Sequence, residues 1–364
     1  MKGHILQRSF LLPLMALTTL AFVLGVIYFD PDTGRTQSAD PAESAPEGIP
    51  ADEPVARVAS VLSPSVVQIN VSGVRQTPYG AQKQEGMGSG VIYRSDGYII
   101  TNNHVVEGSR DVEVAFADGA TERGEVIGTD PTTDIAVVKV DRDGLPAASF
   151  ASADPIVGQT AVAVGSPSGF ESTVTSGIIS GTGREVPAEY TGGQQATSLV
   201  DLVQTDAAIS PGNSGGALAD REGRVIGINV AYLPPGETGA ANIAFAIPSG
   251  TAVSVADQLI ENGEAVHPYL GVYLSDLTQE TASKFGSPVD SGALIEEVEP
   301  GSPADAAGVQ RGDIVTVAGS EEVLSSGDLL SALRNYMPGD TVGLQILRNG
   351  EKTTLQVNLA EGSQ

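Results

Sequence analysis

The chain has no cysteine among its 364 residues. A disulfide framework, a thiol nucleophile and a cysteine-based zinc site are therefore excluded. Basic residues are scarce: 19 Lys and Arg stand against 45 Asp and Glu, for a net charge of −26. That balance argues against a nucleic-acid partner, whose phosphates select Lys and Arg. It implies a soluble, self-repelling surface, either ordinarily acidic or suited to high salt, where screening relieves the repulsion. Histidine is rarer still, present only as His4, His104 and His267. Glycine and proline are plentiful, with 44 and 22 residues, and favour turns over long helices.

One apolar run is long. Phe10 to Phe29 is interrupted only by Pro13, Thr18, Thr19 and Gly25, which matches the ~20 residues a helix needs to cross a bilayer core. Lys2 and Arg8 precede it, and Asp30 and Asp32 follow. By the positive-inside rule residues 1–9 stay in the cytoplasm and the rest is exported. A cleaved signal peptide is the competing reading, but its apolar region is usually shorter and ends at a small-x-small site. Here the run ends in Tyr28-Phe29-Asp30-Pro31, so an uncleaved anchor over 10–29 is expected. Residues 30–54, rich in Pro, Ala, Asp, Glu and Ser, read as a disordered spacer.

Two folded blocks follow. From 55 to 263, short β segments alternate with turn residues, among them Val66–Val71, Asp111–Phe116, Ile135–Val140 and Val225–Val230. Regular spacing of this kind indicates a sandwich or barrel. One helix is expected from Ser249 to Asn262-Gly263, with Val253, Ala256, Leu259 and Ile260 on one face. The block 264–360 reads as a strand at Tyr269–Leu274, a helix near Thr278–Phe285, strands near Ala293–Val298 and Ile314–Val317, and a helix over Gly327–Tyr336. A hairpin turning at Asn349-Gly350 closes it. Residues 361–364 are left as a tail.

The chemistry lies in the first of these blocks. Gly212-Asn213-Ser214-Gly215-Gly216 sets one hydroxyl in a tight glycine-rich turn, suited to a serine nucleophile with backbone N–H groups aimed at a developing oxyanion. By analogy with the Ser-His-Asp template those donors are Ser214 and Gly212. A bare Asn-Ser-Gly-Gly is also a common turn, so the base decides. A hydroxyl nucleophile needs one of near-neutral pKa; His4 lies in the tail and His267 opens the last block, which leaves His104, in Thr101-Asn102-Asn103-His104-Val105-Val106. The carboxylate that orients it is expected at Asp134, directly before the apolar Ile135-Ala136-Val137-Val138. Asp130 and Asp206 are rivals, the first in an Asp-Pro turn and the second better suited to a structural role. The order His, Asp, Ser is that of the chymotrypsin class.

These motifs, with Ser176-Gly177-Ile178-Ile179-Ser180-Gly181 and Ile243–Pro248, resemble those of the HtrA/Deg serine proteases over most of residues 55–360. The resemblance implies a mainly β, chymotrypsin-like double β-barrel with the triad in its cleft, followed by one PDZ domain. Tyr269-Leu270-Gly271-Val272 matches that family's carboxylate-binding loop, which captures protein C-termini. Anchor, spacer, protease and single PDZ domain look most like the DegS-type branch, which implies a homotrimer answering unfolded-protein C-termini. Arg184 matches the position from which that branch's sensor loop links the PDZ domain to the oxyanion loop. Ile209 matches a residue of the primary specificity pocket, which implies cleavage after small aliphatic residues of unfolded or regulatory proteins. A broad degradative protease and a peptide-binding chaperone with a little-used protease domain are the other readings. No metal or cofactor is expected.

Overall fold

A computed structural model of the chain describes residues 49–50, 52–77, 80–166, 173–187, 198–233, 242–285 and 287–362. The expected anchor and most of the spacer lie outside these residues. The described residues all belong to one compact unit, Pro46–Gln364.

Two closed six-stranded barrels and a smaller third body make up the fold. The first barrel is built from β1 (Val66–Thr77), β2 (Gly80–Ile92), β3 (Tyr98–Asn102), β4 (Asp111–Ala115), β5 (Thr121–Asp130) and β6 (Ile135–Val140), in the order β1-β2-β3-β6-β5-β4. The second joins β7 (Thr160–Gly165), β8 (Thr173–Val186), β9 (Leu199–Thr205), β10 (Ala217–Ala219), β11 (Val225–Leu233) and β12 (Ile243–Pro248), in the order β10-β11-β12-β9-β8-β7. The expected double barrel is present.

Its strands explain why the sequence shows unbroken apolar runs. A strand exposes side chains alternately to its two faces. In β6, Ala136, Val138 and Val140 fill the first barrel, whereas Ile135 and Val137 join a cluster shared by both barrels. In β7, Ala161 and Ala163 fill the second barrel, and Val162 and Val164 face the shared cluster. Strands buried on both faces need apolar residues at every position.

The shared cluster is completed by two helices. α1 (Pro54–Leu62) buries Val58 and Leu62, where the sequence pattern suggested β structure from Val55. Its valines lie at helical spacing, and Pro54 sits at the first turn, where a missing N–H costs nothing. A further short helix, α2 (Asn103–Val106), follows β3 directly, so His104 stands on a helical turn and not at a strand end. The expected helix α3 (Ser249–Asn262) ends at Gly263 with φ +79°, but its buried face is Ala252, Val255, Ala256 and Leu259. Val253 and Ile260 are only half-buried.

The third body has its own core. Its sheet runs β14 (Val272–Asp276), β15 (Ala293–Val298), β16 (Ile314–Ala318), β18 (Thr341–Arg348) and β19 (Glu351–Asn358), with the short β17 (Glu321–Glu322) on β16. Helices α4 (Gln279–Phe285), α5 (Pro303–Ala306) and α6 (Ser326–Leu333) cover it. The closing hairpin pairs Arg348 with Glu351 across Asn349 and Gly350, both at positive φ, the backbone a tight hairpin turn requires. The single strand expected over Tyr269–Leu274 is two pieces. β13 (Pro268–Tyr269) pairs with β20 (Ala360–Glu361), so Glu361 belongs to the fold and not to a tail. Gly271, at φ +80°, breaks the extended backbone before β14 begins.

A polar seam joins this body to the second barrel and to the end of β5. Helix α6 packs against β8 and β9; Ser331 donates to Asp201 at 2.8 Å and Arg334 lies 3.4 Å from the same carboxylate. His267 Nε2 meets the fully buried Asp130 at 2.9 Å. Burial holds the Asp201 carboxyl above its ordinary range and pulls the Arg334 guanidinium below its own. Both shifts mean that burial opposes the charged forms. Because the Asp201 proton is held more tightly in the folded state, that part of the stability is present at low pH. It is lost as pH rises through the raised value. Arg334→Ala, which leaves the half-buried Asp201 without its cation, is expected to destabilise the folded unit by about 1–3 kcal/mol in chemical denaturation. The double replacement Asp201→Asn, Arg334→Met is expected to cost much less.

Candidate active site

A buried aspartate and a histidine of the first barrel stand near a serine turn of the second, with Val105 and the Ser214 carbonyl both packed against Gly88. Asp134 is fully buried and non-glycine, yet has φ +60°. Such conformations cost of order 1–3 kcal/mol and persist only where surroundings over-determine them. Four hydrogen bonds do so here. Its carbonyl accepts from Asn103 N at 3.0 Å and Asn102 Nδ2 at 3.1 Å. Its carboxylate accepts from His104 N at 2.9 Å and meets His104 Nδ1 at 2.7 Å. A carboxylate at Nδ1 selects the tautomer with the proton there, so Nε2 is left as the acceptor.

Ser214 lies in a turn between β9 and β10. Its hydroxyl donates to the Val230 carbonyl at 3.3 Å and makes no hydrogen bond to His104. Resting hydroxyls of this kind are often poorly aligned before substrate arrives. Gly212, at φ +98°, occupies the turn ahead of it. The N–H groups of Gly212 and Ser214 carry no hydrogen bond among the described residues, leaving two backbone donors beside one hydroxyl. That is the arrangement acyl transfer requires: a hydroxyl, a base oriented by a carboxylate, and N–H groups for an oxyanion.

The rival carboxylates have other work. Asp130 holds Thr132 N, Thr133 Oγ1 and His267, and Asp206 accepts from Ile178 N at 2.7 Å. Ile209, 6% exposed, packs with Ile179, Val203 and Leu218 in the second barrel. Arg184 pairs with Leu202 in the ladder, and its guanidinium lies over Gly181. The loop expected to act as a sensor lies largely outside the described residues. The neighbouring Gly183 abuts Gly327 and Asp328 of α6. Asp201, Ser331, Arg334 and the Asp130–His267 pair were not singled out by sequence, since their partners lie more than 125 positions apart. Among the described residues no cluster suited to a metal ion occurs.

At the other end of the chain, the loop before β14 has the form of an anion cradle. The Leu270 carbonyl is held by Ala304 N at 3.0 Å, and that of Gly271 by Glu299 N at 3.0 Å and Ser302 Oγ at 3.2 Å. The Leu270 and Gly271 N–H groups have no hydrogen bond among the described residues. Tyr269 donates its phenol to Glu299, which raises the Tyr269 pKa. Among the described residues β14 has β15 as its one neighbour in the sheet, which leaves its outer edge open to an added strand.

Packing at the active-site turn is tight enough to test. A methyl on Gly215 would come within 2.1 Å of the Ser89 carbonyl and 2.4 Å of Thr101 Oγ1, at φ +82°. Gly215→Ala is therefore expected to displace Ser214 and to abolish its reaction with a fluorophosphonate probe, measured as labelled fraction.

Comparison with known proteins agrees with this geometry. A trypsin-like peptidase domain model matches residues 88–228 and a PDZ domain model matches 268–359. The chain is 38% identical over 291 residues to a probable periplasmic serine endoprotease, DegP-like, of Marinomonas sp. (strain MWYL1), covering 78% of this chain and 60% of that one. It is 40% identical over 289 residues to the protein of the same description from Halomonas elongata, covering 78% and 59%. The chain thus spans about three fifths of the length of these relatives. The solved structure of the HtrA-type protease AlgW with a tripeptide is 34% identical, with a TM-score of 0.67 over 85% of this chain and 98% of that one. A trypsin-like double barrel followed by one PDZ domain, matched over nearly the whole of a solved relative, assigns this chain to the HtrA-type protease family.

Proposed function

We propose that the chain is an exported serine endopeptidase whose activity is modulated by protein C-termini bound at its PDZ domain. One observation carries the enzymatic part: Asp134 grips His104 through both carboxylate oxygens, near Ser214 and two N–H groups unbonded among the described residues. In this reading His104 Nε2 takes the Ser214 proton as Oγ attacks the scissile carbonyl. The Gly212 and Ser214 N–H groups stabilise the oxyanion, and His104 then protonates the leaving amine. Asp134 holds the ring in place and stabilises the imidazolium. The family resemblance gives Ile209 to the primary pocket, and an aliphatic side chain there favours small aliphatic P1 residues.

The regulatory part rests on the cradle at Tyr269-Leu270-Gly271-Val272 and the free edge of β14. Together they fit a peptide added as a strand with its carboxylate on the loop. Relatives described as periplasmic support an extracytoplasmic location, and Phe10–Phe29 would serve as the membrane anchor of a homotrimeric assembly. Among the described residues no helix is long and apolar enough to cross a membrane; the proposed anchor lies outside them. Unfolded or regulatory envelope proteins are the substrates this reading expects, with Arg184 part of the relay between the domains.

Cleavage of casein or a valine-containing peptide by the wild type and by Ser214→Ala, each with and without a hydrophobic C-terminal peptide, tests both parts. Cleavage only by the wild type, increased by the peptide, is the expected result. Equal cleavage by Ser214→Ala overturns the catalytic assignment; indifference to the peptide overturns the regulatory one. Asp134→Asn is expected to lower kcat about 10³–10⁴-fold by releasing the wrong imidazole tautomer, read in the same assay.

A further inference from the structure

Ser89 is a fully buried residue of β2, in the first barrel, whose contacts converge on the Ser214 turn of the second. Its hydroxyl donates to the Gly212 carbonyl at 2.6 Å and accepts from Ser166 N at 2.8 Å. Its N–H donates to the Ser214 carbonyl at 2.8 Å, and its own carbonyl accepts from Thr101 Oγ1 at 2.7 Å. One side chain and its backbone therefore hold the carbonyls of both residues that offer an unbonded N–H.

We propose that Ser89 is a positioning residue for the oxyanion site, its hydroxyl keeping Gly212 in the conformation that presents its N–H to substrate. This rests on Ser214 being the nucleophile and Gly212 an oxyanion donor. The peptide units of the turn are otherwise pinned one by one. Asn213 N donates to Ser210 O at 2.9 Å, Gly216 N to Asn213 O at 3.0 Å and Gly215 N to Asn229 O at 2.8 Å. With Ser89 added, the unit between Gly212 and Asn213 is held at its oxygen as well as its nitrogen. Among the described residues the unit between Pro211 and Gly212 is the one left unheld, and it carries the Gly212 N–H. Its orientation follows from the torsions at Gly212, which the Ser89 bond restrains from the far side. Without the hydroxyl, the Gly212 carbonyl becomes a buried acceptor without its donor, a state costly enough to turn a glycine peptide toward another partner.

The Ser89 hydroxyl thereby acts on the transition state and little on substrate binding. Removing one oxyanion donor outright costs about 10²–10³-fold in kcat, so loosening one is expected to cost about 10–100-fold. The test compares Ser89→Thr with Ser89→Val in the full-length chain, two side chains of like shape of which only the first keeps the hydroxyl. Peptide cleavage, thermal unfolding and the affinity of a peptide boronate, which forms a tetrahedral adduct on the serine, are measured together. The expected result is a kcat for Ser89→Val about 10–100-fold below that of Ser89→Thr, with KM within twofold, similar thermal midpoints and boronate affinity reduced in step with kcat. Equal kcat in two folded variants overturns the proposal, as does a loss that appears wholly in KM. Ser214→Ala in the same assay separates the cases: if it still cleaves, the catalytic reading itself has failed. If it is inert while the Thr and Val variants are equal, only the role of Ser89 falls. Should neither variant fold, Ser89→Ala takes the same measurements, with Ser89→Cys as the weaker donor. A kcat loss of that size for Ala over the wild type is again required.

Discussion

A carboxylate without access to water must find its donors inside the protein, and Asp134 takes two from a single residue. His104 supplies both its backbone N–H and its ring nitrogen. That double grip fixes the imidazole in position and tautomer, and it is made from a positive-φ backbone at Asp134. The strain is tolerable because β6 begins at the next residue. Ile135 to Val140 are buried on both faces, between the interior of the first barrel and the cluster the barrels share. The geometry at the histidine is therefore a consequence of packing, with apolar burial on the order of 25 cal/mol per Å² holding a polar pair in place.

The serine belongs to the other barrel, so its alignment depends on how the barrels meet. Direct hydrogen bonds at this meeting converge on Ser89, and Gly215 is the residue that lets the Ser89 carbonyl approach. The third body reaches the same segment from the opposite side. Asp201, held by Ser331 and Arg334, lies on β9, and β9 leads through Thr205 and Asp206 to Ile209 and the Gly212 turn. Thr205 Oγ1 and Asp206 Oδ1 pin that path to the Ile178 backbone at 2.7 Å each. A contiguous chain of packed and bonded residues thus runs from a wall of the third body to the Gly212–Ser214 turn. Spatial continuity of this kind permits coupling between the two.

What could be read from the sequence depends on what sequence encodes locally. The Asn349-Gly350 hairpin, the Gly263 helix end and the apolar strand Ile135–Val140 each leave a short-range mark, and all three are where they were expected. Helix α1 was missed because its valines suit a strand as well as a helical stripe. Gly271 shows the reverse, a single residue that splits what reads as one strand. At the active site, the scarcity of histidine made His104 legible, and the apolar run after Asp134 marked the buried carboxylate. The seam between the bodies left no such mark. Asp201 and Arg334 are 133 positions apart, and neither stands in a patterned neighbourhood. His267 was passed over as the opening of the last block, yet it is the partner of Asp130, the carboxylate set aside as a rival for His104.

The same scarcity organises the charges. Of 45 acidic residues, four among the described ones are buried: Asp130, Asp134, Asp220 and Asp313. Each has a basic partner, His267 at 2.9 Å, His104 at 2.7 Å, Arg224 at 2.7 Å and Arg348 at 2.7 Å respectively. A buried carboxylate without such a partner would have to bind a proton or destabilise the fold. A chain with 19 Lys and Arg therefore uses both histidines of its folded part on buried aspartates. The two pairs look alike, a ring nitrogen on an acid fully removed from water, but their surroundings differ. His104 lies beside a hydroxyl and unbonded N–H groups, whereas His267 ties the third body to Thr133 and the end of β5. It is the surroundings, and not the pair, that make one of them a candidate for chemistry and the other a structural tie four residues away.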